Sequence, residues 1–421
     1  MEPMFGHSIL SDFMLAPEFI NLNHGSFGAL PHTIQKVYNT VTEEVERNPD
    51  HFIRRKLGIH VAEVQKRLAA LVGAGEDECV VIPNVTHGIF VILRSMAWSE
   101  GDVLVHTPTA FPPIQRNVNT LPGVNQDLPK LSSFHLAFPE SHASILERFQ
   151  THIRALKRGG SKVVALFDSI VSCPGVIMPW KQMVRICREE GVISIVDAAH
   201  SLGQERNIDL NDVQPDFWVA NCSKWLYAKR GSGLLYVPKR NQHLISHNLP
   251  AGLRWLEPDA GKHTLSAFAS EFHWNGSTDV ALALTIGPAL DYRASLGGED
   301  RIIQYCHNLA VNGGRRLAEI LNTEVMDTNG ELTGCMANVR LPLSTQILSS
   351  PDIAREFDRQ LFEVHGVYAS IYRHNDKWWA RVSAQIYNEI SDFEKLGRVL
   401  LEICPDLEAR FAPGRSEHGR P

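Results

Sequence analysis

An amine and a carboxylate in this chain have types and places that suit one chemistry. Asp216–Gly233 reads DFWVANCSKWLYAKRGSG, an apolar run that ends in small polar residues and then Lys224. A lysine at a strand end projects into a partly buried place, where loss of water depresses its pKa and suits it to Schiff-base formation. Val192–His200 reads VISIVDAAH, a second apolar run that ends in Asp197, about 27 residues earlier. Either residue alone has an ordinary reading: lysines commonly sit on surfaces, and an aspartate after a strand commonly caps a helix. Together they offer a carboxylate for a pyridinium nitrogen and an amine for an aldehyde.

Three further stretches could complete such a site. Asn84–Val85–Thr86–His87–Gly88 follows the apolar run CVVIP and opens an apolar helix. A small polar turn at a helix N-terminus is an anion site, although an ordinary N-cap reads the same way. Arg381 stands in WWARVSAQIYN among aromatic and β-branched residues, and its planar guanidinium matches a carboxylate better than an ammonium does. The turn Asn23–His24–Gly25–Ser26 reads as a lid over a substrate, or as a glycine-containing turn with no ligand. Arg54 and Arg55 read as solvent-facing.

The elements that must position these residues follow from the alternation of the middle of the chain. Strand-like runs at Cys79–Pro83, Asp102–His106, Lys162–Phe167, Val192–Val196, Asp216–Ala220 and Gly233–Val237 alternate with helical patterns such as His60–Val72, Ser144–Arg158 and Trp180–Glu190. Continuous apolar strands between helices imply βαβ units and a largely parallel sheet, with chemistry at its carboxyl ends. After residue 280 long helical patterns, Asp279–Leu296 and Arg301–Leu321, precede strands near Met336–Leu341, Val367–Tyr372 and Trp379–Ala384. The predicted organisation is an arm and lid at 1–35, a large domain at 36–278, a smaller α+β domain at 279–408 and a tail at 409–421.

Composition narrows the function classes. The chain has 421 residues with 41 basic and 47 acidic side chains, a balance that argues against nucleic acid or an anionic membrane as partner. Its seven cysteines form no CxxC pair and lie mostly in apolar runs, as reduced thiols do, and no metal site is expected. The start MEPMFGHSILSDF lacks a signal-peptide pattern, so the expected place is the cytoplasm.

In order, NVTHG, VDAAH, SKW and RGSGLLYV resemble the class V aminotransferase group of pyridoxal-phosphate enzymes. INLNHGSFG at Ile20–Gly28, with Leu30–Pro31 and Asn48–Pro49, is similar to the isopenicillin N epimerase-like branch, which includes hercynylcysteine sulfoxide lyases and the loline-pathway cyclase. The resemblance runs from about Phe5 to Leu400. It implies an α/β protein of fold type I, with a mostly parallel seven-stranded-type sheet between helices, pyridoxal 5′-phosphate as cofactor and a homodimer. Lys224 would carry the cofactor, Asp197 would pair with its ring nitrogen and His200 would approach its phenolic oxygen. Val85, Thr86 and Ser223 would hold the phosphate, Phe111 would stack on the ring, and Ser172 would lie near the phenolic oxygen. Arg381, with Asn23 and His24 of the lid, would bind the substrate. In Trp274–Asp279, WNGSTD, Ser277 would reach the phosphate of the neighbouring subunit, and Thr278 stands where relatives carry arginine.

That set implies an α-carbanion formed from an amino acid, followed by elimination, cyclisation, epimerisation or transamination. The motifs favour a lyase or cyclase of specialised metabolism, with an epimerase second and an aminotransferase or non-catalytic binder behind. Phe111, with no hydroxyl, could not protonate a leaving sulfur as a tyrosine could. No cysteine stands in an obvious glycine-rich loop, which disfavours a cysteine desulfurase; Cys335 is the nearest candidate.

Overall fold

The computed structural model describes residues 4–121, 128–157, 160–245, 266–274 and 276–411. At its centre is a seven-stranded sheet of β1 (Cys79–Ile82), β2 (Val103–His106), β3 (Lys130–Ser133), β4 (Val163–Asp168), β5 (Ile193–Asp197), β6 (Phe217–Asn221) and β7 (Gly233–Tyr236). Their order across the sheet is β1-β7-β6-β5-β4-β2-β3. The run from β3 to β6 is parallel, while β7 is antiparallel to both β6 and β1. Continuous apolar sequence makes β4 and β6 central: every residue of Val163–Asp168 is buried, and so are Phe217–Ala220.

Helices cover both faces of this sheet. Leu57–Val72, His142–Lys157 and Trp180–Glu189 bury Val64, Leu68, Ile145, Phe149, Met183 and Val184 on one side. Val85–Ser95 and Pro112–Thr120 bury Ile89, Ile92, Ile114 and Val118 on the other. A separate core joins the helices Glu299–Leu321 and Ile390–Phe411 to a three-stranded antiparallel sheet of β8 (Met336–Arg340), β9 (Ser370–His374) and β10 (Lys377–Ser383).

Six of the strands match their expected runs to within a residue or two, and the sheet differs in two respects. The strand Lys130–Ser133, KLSS, escaped the reading because it is a polar edge strand with no apolar face. The run Gly233–Val237 enters antiparallel, since the eleven residues 222–232 between it and β6 form a loop and not a crossover helix. The expected helix over Asp279–Leu296 is two pieces, Ala281–Leu284 and Ile286–Ser295. Between them Thr285 returns its hydroxyl to the Leu282 carbonyl. The final helix continues through Phe411, three residues into the expected tail, and 412–421 lie outside the described residues. So do residues 1–3 of the start, Arg158 at the end of one expected helix and Asn275 of the WNGSTDV segment.

The N-terminal arm is sewn into the C-terminal layer. Ile20–Asn21 pairs in parallel with Val367–Tyr368, Leu22 joins that layer's core, and Asn23 bridges Ser383 at the end of β10. This threading carries the short helix His24–Phe27 across to the carboxyl ends of the large sheet.

Candidate active site

Asp197 ends β5, and the loop after β6 brings Lys224 to the same edge. Asp197 is buried and accepts the Ala199 N–H at 3.0 Å; among the described residues no cation lies within ion-pair distance. Burial pushes its carboxyl up to about 6, against the pull of the Ala199 amide and of Lys224. Lys224 is partly buried, and loss of water lowers its amine to about 8, with Asp197 pulling up and Arg381 pushing down. Its Nζ lies 3.1 Å from His200 Nε2.

Two buried rings and a guanidinium fix the lysine loop. Trp225 Nε1 donates to His200 Nδ1 at 3.3 Å, which leaves the imidazole hydrogen on Nε2. With the hydrogen on Nε2, the contact is a hydrogen bond to the unprotonated Lys224 amine, the form favoured above about pH 8. His24, fully buried, engages the Lys224 carbonyl through Nε2 at 2.9 Å and the Tyr387 hydroxyl through Nδ1 at 2.9 Å. Burial lowers this imidazole to about 3. Arg293 Nη1 donates to the Trp225 carbonyl at 2.6 Å while Glu299 neutralises it. Gly28 sits so close that a Cβ there would lie 2.2 Å from the Ser223 carbonyl, and its φ of +70° itself favours glycine.

Arg381 projects from β10 and is 1% exposed. Its Nη2 donates to Asn23 Oδ1 at 2.6 Å and Ser26 Oγ at 2.8 Å, and its Nη1 donates to the Ser172 carbonyl at 2.6 Å. Nε is buried without a partner, and among the described residues no carboxylate lies within ion-pair distance. Cys173 Sγ stands 3.8 Å from Nη1. The loop that carries Ser172 is tied down by Asn338, which exchanges two hydrogen bonds with the Gly175 backbone, both at 3.1 Å.

The structure therefore gathers Asp197, His200, Lys224, Ser172, Asn23 and Arg381 around one place. Other expected residues stand in different surroundings. The N–H of Val85, expected to face phosphate, donates to Asn221 Oδ1 at 3.2 Å, because that side chain reaches from the end of β6 to the turn. Thr86, next in the first turn of the helix Val85–Ser95, is partly buried, as is Ser223. Phe111 is 46% exposed at the start of the helix Pro112–Thr120. Ser277 and Thr278 are exposed. His24 lies under the lysine loop with both ring nitrogens engaged, so its place is that of a pin and not of a surface lid. Arg54 is exposed and bonds Asp50. Cys335 is buried in the bend directly before β8, packed in one core with Trp225 and Tyr387.

Sequence reasoning missed Asp168, Tyr387 and Arg293. Asp168 carried a signal, since it ends an apolar strand as Asp197 does; the other two act through contacts 363 and 68 residues away that no local pattern announces.

A buried carboxylate at a strand end, without a cation among the described residues, and an amine of lowered pKa beside it fit the ring nitrogen and the aldehyde of pyridoxal phosphate. The Asn84-capped helix Val85–Ser95 fits an anion near the Thr86 turn. Comparison with known proteins agrees. The model of the family described as aminotransferase class-V matches residues 29–396. The chain is 32% identical to an L-cysteine desulfhydrase-like protein, lolT1, of Epichloe uncinata, over 96% of each chain. It is 26% identical to the hercynylcysteine sulfoxide lyase of Schizosaccharomyces pombe, over 95% of this chain and 98% of that one. It is 25% identical to the isopenicillin N epimerase of Streptomyces clavuligerus, over 92% and 95%. Among solved structures, a cystine C–S lyase in complex with its product cysteine persulfide superposes with a TM-score of 0.72 at 17% identity, over 94% and 98%. A cysteine desulfurase from Thermococcus onnurineus NA1 gives 0.71 at 17% identity, over 97% and 100%. At that identity the structures speak for the fold.

Proposed function

The chain belongs to the aminotransferase class-V family with pyridoxal 5′-phosphate as its cofactor, and from that premise we propose that it is a lyase or cyclase acting on a small amino acid. The observation that carries the substrate class is Arg381: a guanidinium almost fully buried, with one nitrogen unpartnered and no acidic partner among the described residues. A buried charge left this way is costly until an anion arrives, and an amino acid's α-carboxylate is a planar match for it.

When bound, pyridoxal phosphate supplies an electron sink that makes the substrate's α-proton acidic. The chain's own residues do the rest. Asp197 presents a negative charge where the ring nitrogen would lie and so favours its protonated form. Arg381 orients the substrate by its carboxylate, with Asn23 and Ser26 adjusting to admit it. Lys224, its amine lowered to about 8 by burial, is placed to take the α-proton when unprotonated. His24 and Arg293 fix the backbone on either side of that amine. Thr86 and Ser223 are the residues for the phosphate, and Phe111 is free to cover the ring.

Likeness to desulfhydrase-like proteins and to a sulfoxide lyase supports bond cleavage at the β-carbon as the outcome, through loss of a sulfur or other leaving group. An epimerase is the alternative, favoured by the His200–Lys224 pair, which could return a proton, and by the likeness to isopenicillin N epimerase. The reading includes a cytoplasmic homodimer of specialised metabolism, in which the exposed Ser277 serves the neighbouring subunit's phosphate. Incubation of the loaded protein with candidate amino acids in deuterated water separates the outcomes. Release of a keto acid, a sulfur species or a cyclic amine supports the lyase or cyclase. Exchange at Cα with substrate conserved supports the epimerase and counts against it.

A further inference from the structure

Asp168 ends β4 as Asp197 ends β5, and the two are register partners on adjacent parallel strands. Partners in register send their side chains to the same face of the sheet, so two carboxyl groups stand side by side. Both are buried, at 4% and 5% exposure. The side chain of Asp168 meets Thr107 Oγ1 across a long 3.4 Å, and among the described residues no cation lies within ion-pair distance. The groups that face the pair are few. Thr107 comes from the turn after β2, and Lys224 from the loop after β6, its charge reaching both carboxyls. Behind Lys224 stand His200, Cys173 and Arg381.

Two adjacent carboxylates in a dry site cannot both stay ionised. Asp197 accepts a well-placed amide at 3.0 Å and has the amine as neighbour, which favours it as the anion. Burial, and then the charge of Asp197, push the Asp168 carboxyl well above its usual range.

We propose that Asp168 is a second, uncharged carboxyl of the site, carrying the proton that leaves Asp197 as the single anion facing the cofactor nitrogen. It is a positioning residue. A second negative charge here would raise the pKa of Lys224 further, against its use as a base; a neutral acid spares the amine that pull. The inference rests on Asp197 serving the cofactor nitrogen.

Infrared difference spectra of the full chain test it, with and without bound pyridoxal phosphate. Glu205→Gln serves as the parent, because Glu205 is another buried carboxyl raised by burial. The parent should show the carbonyl stretch of a protonated acid near neutral pH, and Asp168→Asn should remove it. As neutral replaces neutral, Asp168→Asn should also keep the bound cofactor. No acid band in the parent, an unchanged band in the variant, or a folded variant that sheds its cofactor would each overturn the proposal. If Asp168→Asn does not fold, the pH titration of the parent's band decides: persistence through neutral pH supports the proposal, and loss below it refutes it. Since the apoprotein band is independent of the cofactor, it is distinct from the reading of Asp197, which cofactor retention by Asp197→Asn examines separately.

Discussion

The two sides of the site hold unpaired charges of opposite sign, and they are built in different ways. On the lysine side, Asp197 is a buried carboxylate at the end of β5 with no cation bonded to it among the described residues, and Lys224 is placed by the loop that follows β6. On the arginine side, Arg381 is a buried cation with no carboxylate partner among the described residues, held between Ser172 of one loop and Asn23 and Ser26 of the arm, the last two more than 350 residues away. The first pattern comes from strand ends, where a parallel sheet places chemistry by rule. The second exists only once the arm has been threaded through the small sheet. The difference teaches that cofactor and substrate are read by separate layers of the fold: an anion for the ring nitrogen in one, a cation for the carboxylate in the other.

The comparison breaks most sharply at Lys224. Lys224→Ala should cut kcat by about 10²–10⁴-fold with the fold intact, as measured by product release. Full turnover in that variant would remove the lysine side from the chemistry. Arg381→Ala should act instead on substrate binding, raising KM by about 2–4 kcal/mol of lost interaction while cofactor absorbance stays. A variant that lost cofactor and kept KM would collapse the distinction between the two sides.

Smaller effects sharpen it. Gly28→Ala sets a Cβ against the Ser223 carbonyl at positive φ, and should lower apoprotein stability by about 1–3 kcal/mol in denaturant titration. Its effect should appear on cofactor retention before KM, since the glycine touches the lysine loop. His24 gives a pH signature. Its folded pKa, about 3, lies below the ordinary 6.5, so between those values the unfolded chain binds more protons. Apoprotein stability should fall as pH drops from 6.5 toward 3, and His24→Gln should flatten that part of the curve. Reactivity of the apoprotein's Lys224 toward an aldehyde should rise with pH and level off above about 8; a midpoint near that of an ordinary lysine would mean that burial does not lower the amine.

The sequence exposed the lysine side well because strand periodicity and the residue after each strand are local properties. VISIVDAAH and FWVANCSK announce their own geometry, and the same rule applied to VVALFDS would have found Asp168. The arginine side was legible as an arginine of improbable surroundings and as a lid turn at Asn23–Ser26, without the contacts that join them. Its partners Asn23, Ser26 and Ser172, and the pins His24–Tyr387 and Arg293–Trp225, depend on contacts between segments far apart in the chain. The polar strand Lys130–Ser133 hid for the opposite reason: an exposed edge requires no apolar run.

The most direct measurement of the central claim is borohydride reduction of the protein loaded with pyridoxal phosphate, followed by peptide mass mapping. The account predicts a single stable pyridoxyl adduct on the peptide that contains Ser223–Lys224–Trp225, absent from Lys224→Ala. An adduct on another lysine, or an equal yield in Lys224→Ala, would contradict it.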